Sequence, residues 1–171
     1  LIALFDREGP TDTMASNNAI KIVIMGQGGV GKTAMVNRFV SGTFVPGYQP
    51  TIDDMFTKDI ERHGAPRCIE ISDTPGQEHY ADLRTPKMST GDGYLLVYSI
   101  TDDATFKYLT EGEGGGLRAR IVEALASKGR KNVPIFLVGT KKDLADDRAV
   151  VKSERVKVAT SWGGAKSFEV S

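Results

Sequence analysis

The sequence predicts a three-layer α/β domain, a mostly parallel sheet with one antiparallel hairpin and helices on its faces. Three observations lead there. Short apolar runs of strand length alternate with segments whose apolar residues recur at helical spacing. Two of the runs, 94–98 and 135–138, are continuously apolar with aromatic and β-branched content, the composition of strands covered on both faces. Two others, 55–62 and 67–72, flank His63, Gly64, Ala65 and Pro66, residues suited to the turn of a hairpin. A length of 171 residues suits one such domain.

Taken in order, residues 1–13 carry neither pattern and read as a disordered or non-native extension, with Met14 a better natural start. The apolar run 19–25, stopped by glycine, is the first strand. Residues 32–40 make a helix in which Met35, Val36, Phe39 and Val40 share a face. After the hairpin and the strand 94–98, Leu117, Ile121, Val122 and Leu125 mark one helical face, and Val156, Ala159 and Trp162 mark another beyond the strand 135–138. Residues 166–171 read as a last strand. The stretch 110–117 is too rich in glycine to extend a helix and is expected to be a flexible insertion within a domain spanning 14–171.

Composition excludes several classes. Lys and Arg number 22 and Asp and Glu 22, so bulk charge draws the chain neither to nucleic acid nor to an anionic bilayer. No apolar run reaches the roughly 20 residues that span a membrane. One cysteine and two histidines leave little for a transition-metal cluster. The single Cys68 points to a reducing, cytoplasmic compartment and, lying in a strand, reads as a packed residue. Phosphate binding, if present, must come from local geometry.

That geometry is written after the first strand. Gly26-Gln27-Gly28-Gly29-Val30-Gly31-Lys32-Thr33 matches G-x-x-x-x-G-K-[ST] in full, with a strand before it and a helix after it. Glycines let the backbone curl, so that the amides of Gly28, Gly29, Val30, Gly31, Lys32, Thr33 and Ala34 face a phosphate chain at a helix N-terminus. Lys32 is expected to bridge the β- and γ-phosphates and Thr33 to ligate Mg²⁺ through its hydroxyl. After the strand 135–138 comes Gly139-Thr140-Lys141-Lys142-Asp143. A carboxylate at Asp143 accepts two parallel hydrogen bonds from guanine N1–H and its 2-amino group, which adenine does not offer, so Asp143 selects GTP.

With these motifs in place, the chain resembles the Ras superfamily of small GTPases, most closely its Ras/Rap branch, from about Ala19 to Ser171. The resemblance implies a phosphate-loop NTPase G domain with two switch loops. Residues 44–54 resemble the first switch, in which Thr51 reaches Mg²⁺ and the γ-phosphate, Phe44 packs on the guanine and Tyr48 covers the phosphates. Asp73-Thr74-Pro75-Gly76-Gln77-Glu78 resembles the second. There Asp73 holds Mg²⁺ through water, the Gly76 N–H senses the γ-phosphate and Gln77 orients the attacking water, the division of labour that the general phosphoryl-transfer scheme describes with Ras as its example. Thr140, Lys141 and Ser171 complete the implied nucleotide contacts, and GTP or GDP with Mg²⁺ are the implied ligands. Effectors are expected at Ile52, Asp53, Asp54 and the second switch, alongside GTPase-activating and nucleotide-exchange proteins. Gly28 leaves room beside the γ-phosphate for a partner's arginine.

Four departures qualify the resemblance. Pro75 stands where the branch usually has alanine, and its missing N–H and fixed φ would stiffen the second switch. Thr140 replaces the usual asparagine, leaving a hydroxyl that ties loops with fewer bonds. The Gly-rich stretch is the third departure. The fourth is the end: Phe168-Glu169-Val170-Ser171 matches only the start of the last guanine-contacting motif, so the resemblance implies a truncated domain whose C-terminal helix is missing. Lipidation, and contact with the inner face of the plasma membrane, would need sequence beyond Ser171. Two rival readings follow: a nucleotide-gated binding module with impaired hydrolysis because of Pro75 and the truncation, and a phosphate-loop ATPase or nucleotide kinase. His79, beside Gln77, reads as an exposed switch residue and His63 as a solvated turn residue.

Overall fold

A computed structural model of the chain describes residues 19–44, 51, 53–62, 64–76, 86–111 and 115–171. Strand β1 (Ile20–Met25) leads through the glycine-rich loop to helix α1 (Lys32–Ser41). Strands β2 (Asp54–Arg62) and β3 (Ala65–Asp73) form the hairpin, followed by a 3₁₀ turn at Pro86–Ser89 and strand β4 (Gly93–Ser99). Helices α2 (Asp103–Thr110) and α3 (Gly116–Ser127) lead to β5 (Ile135–Thr140), a 3₁₀ segment Lys142–Asp147, α4 (Lys152–Ser161) and β6 (Ser167–Glu169).

The strands lie in the order β2-β3-β1-β4-β5-β6, with every adjacent pair parallel except the β2–β3 hairpin. This is the mixed, mostly parallel sheet the sequence predicts. Arg62 pairs with Ala65 and Glu61 with Pro66, so Ala65 and Pro66 belong to β3 rather than to the turn, and Gly64 takes φ +74°, which suits glycine. His63 lies outside the described residues.

Alternation of side chains divides the core into two. Val23, Met25, Leu96, Tyr98 and Leu137 pack with Phe106 and Leu109 of α2 and with Leu117, Ile121 and Leu125 of α3. Ile22, Ile24, Ile69, Ile71, Leu95 and Val97 pack with Val36 of α1. β4 is buried along its whole length, as its unbroken apolar run requires.

Some expectations need correction. Val122 is 41% exposed and Val156 51%, because the buried faces of their helices are narrower than the spacing suggested; Leu117, Ile121, Leu125 and Ala159 are the buried members. Cys68 is exposed, since on β3 it faces water opposite Asp59 of β2 instead of the core. α2 has no counterpart in the sequence reading, although Asp102 caps it by accepting from the Ala104 amide at 3.0 Å and Thr105, Phe106 and Leu109 form its buried side. The two ends of the stretch 110–117 belong to helices. Thr110 closes α2, while Gly116 and Leu117 are buried at the start of α3, where a Cβ on Gly116 would lie 2.7 Å from the Leu109 carbonyl oxygen. Residues 112–114 lie outside the described residues.

Candidate nucleotide site

Parallel strands deliver their carboxyl ends to one edge of the sheet, and there the sequence motifs meet. β1 ends at Met25, and Gly26 turns the chain so close to β4 that a Cβ would lie 2.1 Å from the Val97 carbonyl oxygen. Gly31, at φ +92°, opens α1 without a side-chain cap, so its first-turn amides are left to face the loop. Lys32 folds back across that loop: its buried ammonium donates to the carbonyls of Gly26 at 3.0 Å and Gln27 at 2.8 Å.

Asp73, the last residue of β3, pairs with Ile24 of β1 and so stands directly beside the phosphate loop. Thr33 Oγ1 donates to Asp73 Oδ2 at 2.5 Å and lies 2.7 Å from Thr51 Oγ1. A hydroxyl has one proton; with that of Thr33 directed at the carboxylate, Thr51 is the donor in the second contact. Asp73 is fully buried and its Oδ1 has no hydrogen-bond partner. Burial raises its carboxyl above the ordinary range, opposed by the Thr33 hydrogen bond and the Lys32 charge. A buried carboxylate oxygen without a partner costs free energy unless something positive or protic reaches it. Two hydroxyls and that oxygen are the hard oxygen donors a small divalent cation such as Mg²⁺ takes, so the residues fit the ion the motif implies. Among the described residues no group of three His, Cys, Asp or Glu side chains comes together to hold a metal by itself.

Residues 74–76, directly after β3, lie against the same loop. Thr74 donates from both its amide, at 3.3 Å, and its hydroxyl, at 2.8 Å, to the Ile24 carbonyl, and Pro75 is buried behind it. Gly76 lies so near the phosphate loop that a Cβ would be 2.4 Å from the Gly28 nitrogen and 2.5 Å from the Gln27 carbonyl oxygen.

On the other side, Thr140 at the end of β5 places its hydroxyl within hydrogen-bond reach of the Val30 carbonyl and, at 2.9 Å, the Tyr98 carbonyl. The replacement for asparagine thus ties the guanine loop to the phosphate loop with a single shared proton. Lys141 takes φ +61°, turning the chain into the 3₁₀ segment that exposes Asp143. The end of β6 braces this loop from both flanks: the Val170 amide donates to the Gly139 carbonyl at 2.8 Å, and the Lys142 amide to the Val170 carbonyl at 3.0 Å. Arg148 grips Glu169 with two bonds of 2.8 and 3.0 Å, holding its carboxyl below the usual range, while Arg155 stands 3.9 Å from the same carboxylate. Nearby, burial pushes the Tyr98 hydroxyl up to about 12.

The structure therefore gathers Lys32, Thr33, Thr51, Asp73, Gly76 and Thr140 around one loop. It does not bring Phe44 to them; that ring is 64% exposed. Ser171 is exposed beyond β6. Tyr48, Ile52, Gln77 and His79 lie outside the described residues. The contacts of Thr74, Lys87, Arg148 and Glu169 escaped the sequence reading because their partners are distant in the chain; only the fold shows what these side chains hold. A family model described as the Ras family matches residues 21–171, which takes in every motif above.

Proposed function

The chain belongs to the Ras family and is thereby a guanine-nucleotide-binding switch; from that premise we propose that it binds GTP with Mg²⁺, hydrolyses it to GDP and phosphate, and signals to effectors in the manner of the Ras/Rap branch. The observation that carries the proposal is the contact of Thr33 with both Thr51 and Asp73 beside a buried carboxylate oxygen that has no partner.

Thr33, Thr51 and, through water, Asp73 would hold Mg²⁺, which when bound supplies positive charge to the β- and γ-phosphate oxygens. The chain does the rest by positioning. Amides of Gly28, Gly29, Val30, Gly31, Lys32, Thr33 and Ala34 cradle the phosphates, and the Lys32 ammonium turns from the Gly26 and Gln27 carbonyls toward them. The Gly76 N–H donates to a γ-phosphate oxygen, and Gln77 orients water for in-line attack. Asp143 reads the guanine edge, Thr140, Lys141 and Ser171 support it, and Phe44 and Tyr48 close over the nucleotide. Loss of the γ-phosphate removes what ties Thr51 and Gly76 to one point, and both loops relax. Effectors would read that change at Ile52, Asp53, Asp54 and the second switch, and an activating partner's arginine would enter past Gly28. This work belongs in the cytoplasm and needs no nucleic acid; membrane contact would require a lipidated segment beyond Ser171.

Pro75 gives one observation to a second reading. Buried between Thr74, tied to β1, and Gly76, pressed on the phosphate loop, it stiffens the segment that must move, which favours a nucleotide-gated binder with reduced turnover. Single-turnover phosphate release separates the two: the enzyme releases phosphate from GTP and Gln77→Leu abolishes it, whereas a binder retains GTP in either form. Competition by ATP against labelled GTP tests base choice, with Asp143→Asn expected to relax it.

A further inference from the structure

We propose that Lys87 is a positioning residue for the metal-binding end of the first switch: it holds Thr51 in place by pinning Asp53, two residues on, to the sheet. The inference rests on the reading of Thr51 as a Mg²⁺ ligand. Lys87 lies in the 3₁₀ turn Pro86–Ser89, and its ammonium donates to Asp53 Oδ1 and, at 2.6 Å, to Ser72 Oγ. The lysine side chain is 19% exposed and the aspartate 38%, so the pair is partly withdrawn from water and screened less than a surface pair.

Both anchors are firm. The Lys87 carbonyl accepts from the buried Tyr94 hydroxyl at 3.3 Å, and its neighbour Met88 is part of the core. Ser72 is buried and directly precedes Asp73 in β3. On the other side, strand pairing begins only at Asp54, which is in register with Asp73. Upstream of that pair, Thr51 meets the Thr33 hydroxyl and Asp53 the Lys87 ammonium. A metal ligand on so short a tether depends on what orients it from outside, and a long stem ending in three rotatable donors can join acceptors on two different elements. Lys87 thus links the Pro86–Ser89 turn and β3 to the ligand of the first switch.

The test measures release of labelled GDP and of a labelled non-hydrolysable GTP analogue, both in saturating Mg²⁺, from the wild type and from Lys87→Met, Lys87→Arg and Thr51→Ala. Thr51 engages only while a γ-phosphate is present, so Lys87→Met should speed analogue release about tenfold while leaving GDP release within about twofold, and Lys87→Arg should restore it. A second readout needs no bound nucleotide: amide hydrogen exchange across residues 51–56 of the metal-free protein should rise in Lys87→Met and return in Lys87→Arg. The proposal is overturned if Lys87→Met leaves analogue release unchanged while Thr51→Ala speeds it, or if both nucleotides leave faster to the same extent, the mark of a merely structural role. If Thr51→Ala itself treats the two nucleotides alike, the ligand role of Thr51 fails and takes the proposal with it.

Discussion

Asp73 shows how much one side chain can carry in this fold. Its burial disfavours the negative charge and raises the carboxyl above the ordinary range, while one of its two oxygens has no hydrogen-bond partner. Asp73→Asn removes that charge while ending its use by a cation, so Mg²⁺ affinity in the nucleotide complex should fall at least about tenfold, measured by Mg²⁺ titration of nucleotide release. Gly76 is equally exacting. The atoms a Cβ would meet at 2.4 and 2.5 Å are backbone of the phosphate loop, which cannot rotate away. Gly76→Ala should therefore displace the second switch from the loop and lower stability by about 1–3 kcal/mol in a urea melt. Glu169 gives a pH signature. The Arg148 bonds depress its carboxyl below 4.5, so their stabilisation is complete above that value and is lost as pH falls through the lowered one. Arg148→Ala should cost about 1–3 kcal/mol near neutrality and flatten the loss of stability on acidification, read from urea midpoints across that window.

At the scale of elements, the site exists because consecutive loops leave the same edge of the sheet and are cross-tied there. Thr140 is the tie between the phosphate and guanine loops. Thr140→Val keeps the shape but leaves a buried carbonyl without its donor, a cost of about 1–3 kcal/mol that should appear both in the urea melt and as faster GDP release. Most elements were legible in the sequence because each carries its own period. β4 and β5 announce themselves as continuous apolar runs, and the hairpin by its turn residues. α2 was missed because eight residues offer barely two turns of pattern, and its Asp102 cap is a signal only once the helix is known to follow. Val122 and Val156 were over-read because apolar residues at helical spacing also occur at the border of a buried face.

For the whole molecule, local motifs pointed to candidate site residues, while the ties between them were invisible in one dimension. Lys32 and Thr33 stand out from the spacing of their motif, and Asp143 from its place after an apolar strand downstream of it. The contact of Thr33 with Thr51 and Asp73 joins residues 18 and 40 positions apart, and the Val30–Thr140 tie spans 110 positions. Neutral overall charge is consistent with the proposed site, in which one loop, one lysine and a divalent cation would hold the phosphates. A ligand that binds only the folded state also stabilises it, by about 2.7 kcal/mol at a hundredfold excess over its dissociation constant. GDP with Mg²⁺ should raise the melting temperature accordingly, and chelation of Mg²⁺ should reverse most of the gain.

The most direct measurement of the central claim is the release rate of labelled GDP as a function of free Mg²⁺, in the wild type and in Thr33→Ala. The hydroxyl and carboxylate cluster predicts that chelation speeds wild-type release at least about tenfold, and that Thr33→Ala releases GDP at the chelated rate whatever the Mg²⁺ concentration. Release indifferent to Mg²⁺ in the wild type, or a Thr33→Ala variant that responds to Mg²⁺ as the wild type does, would contradict it.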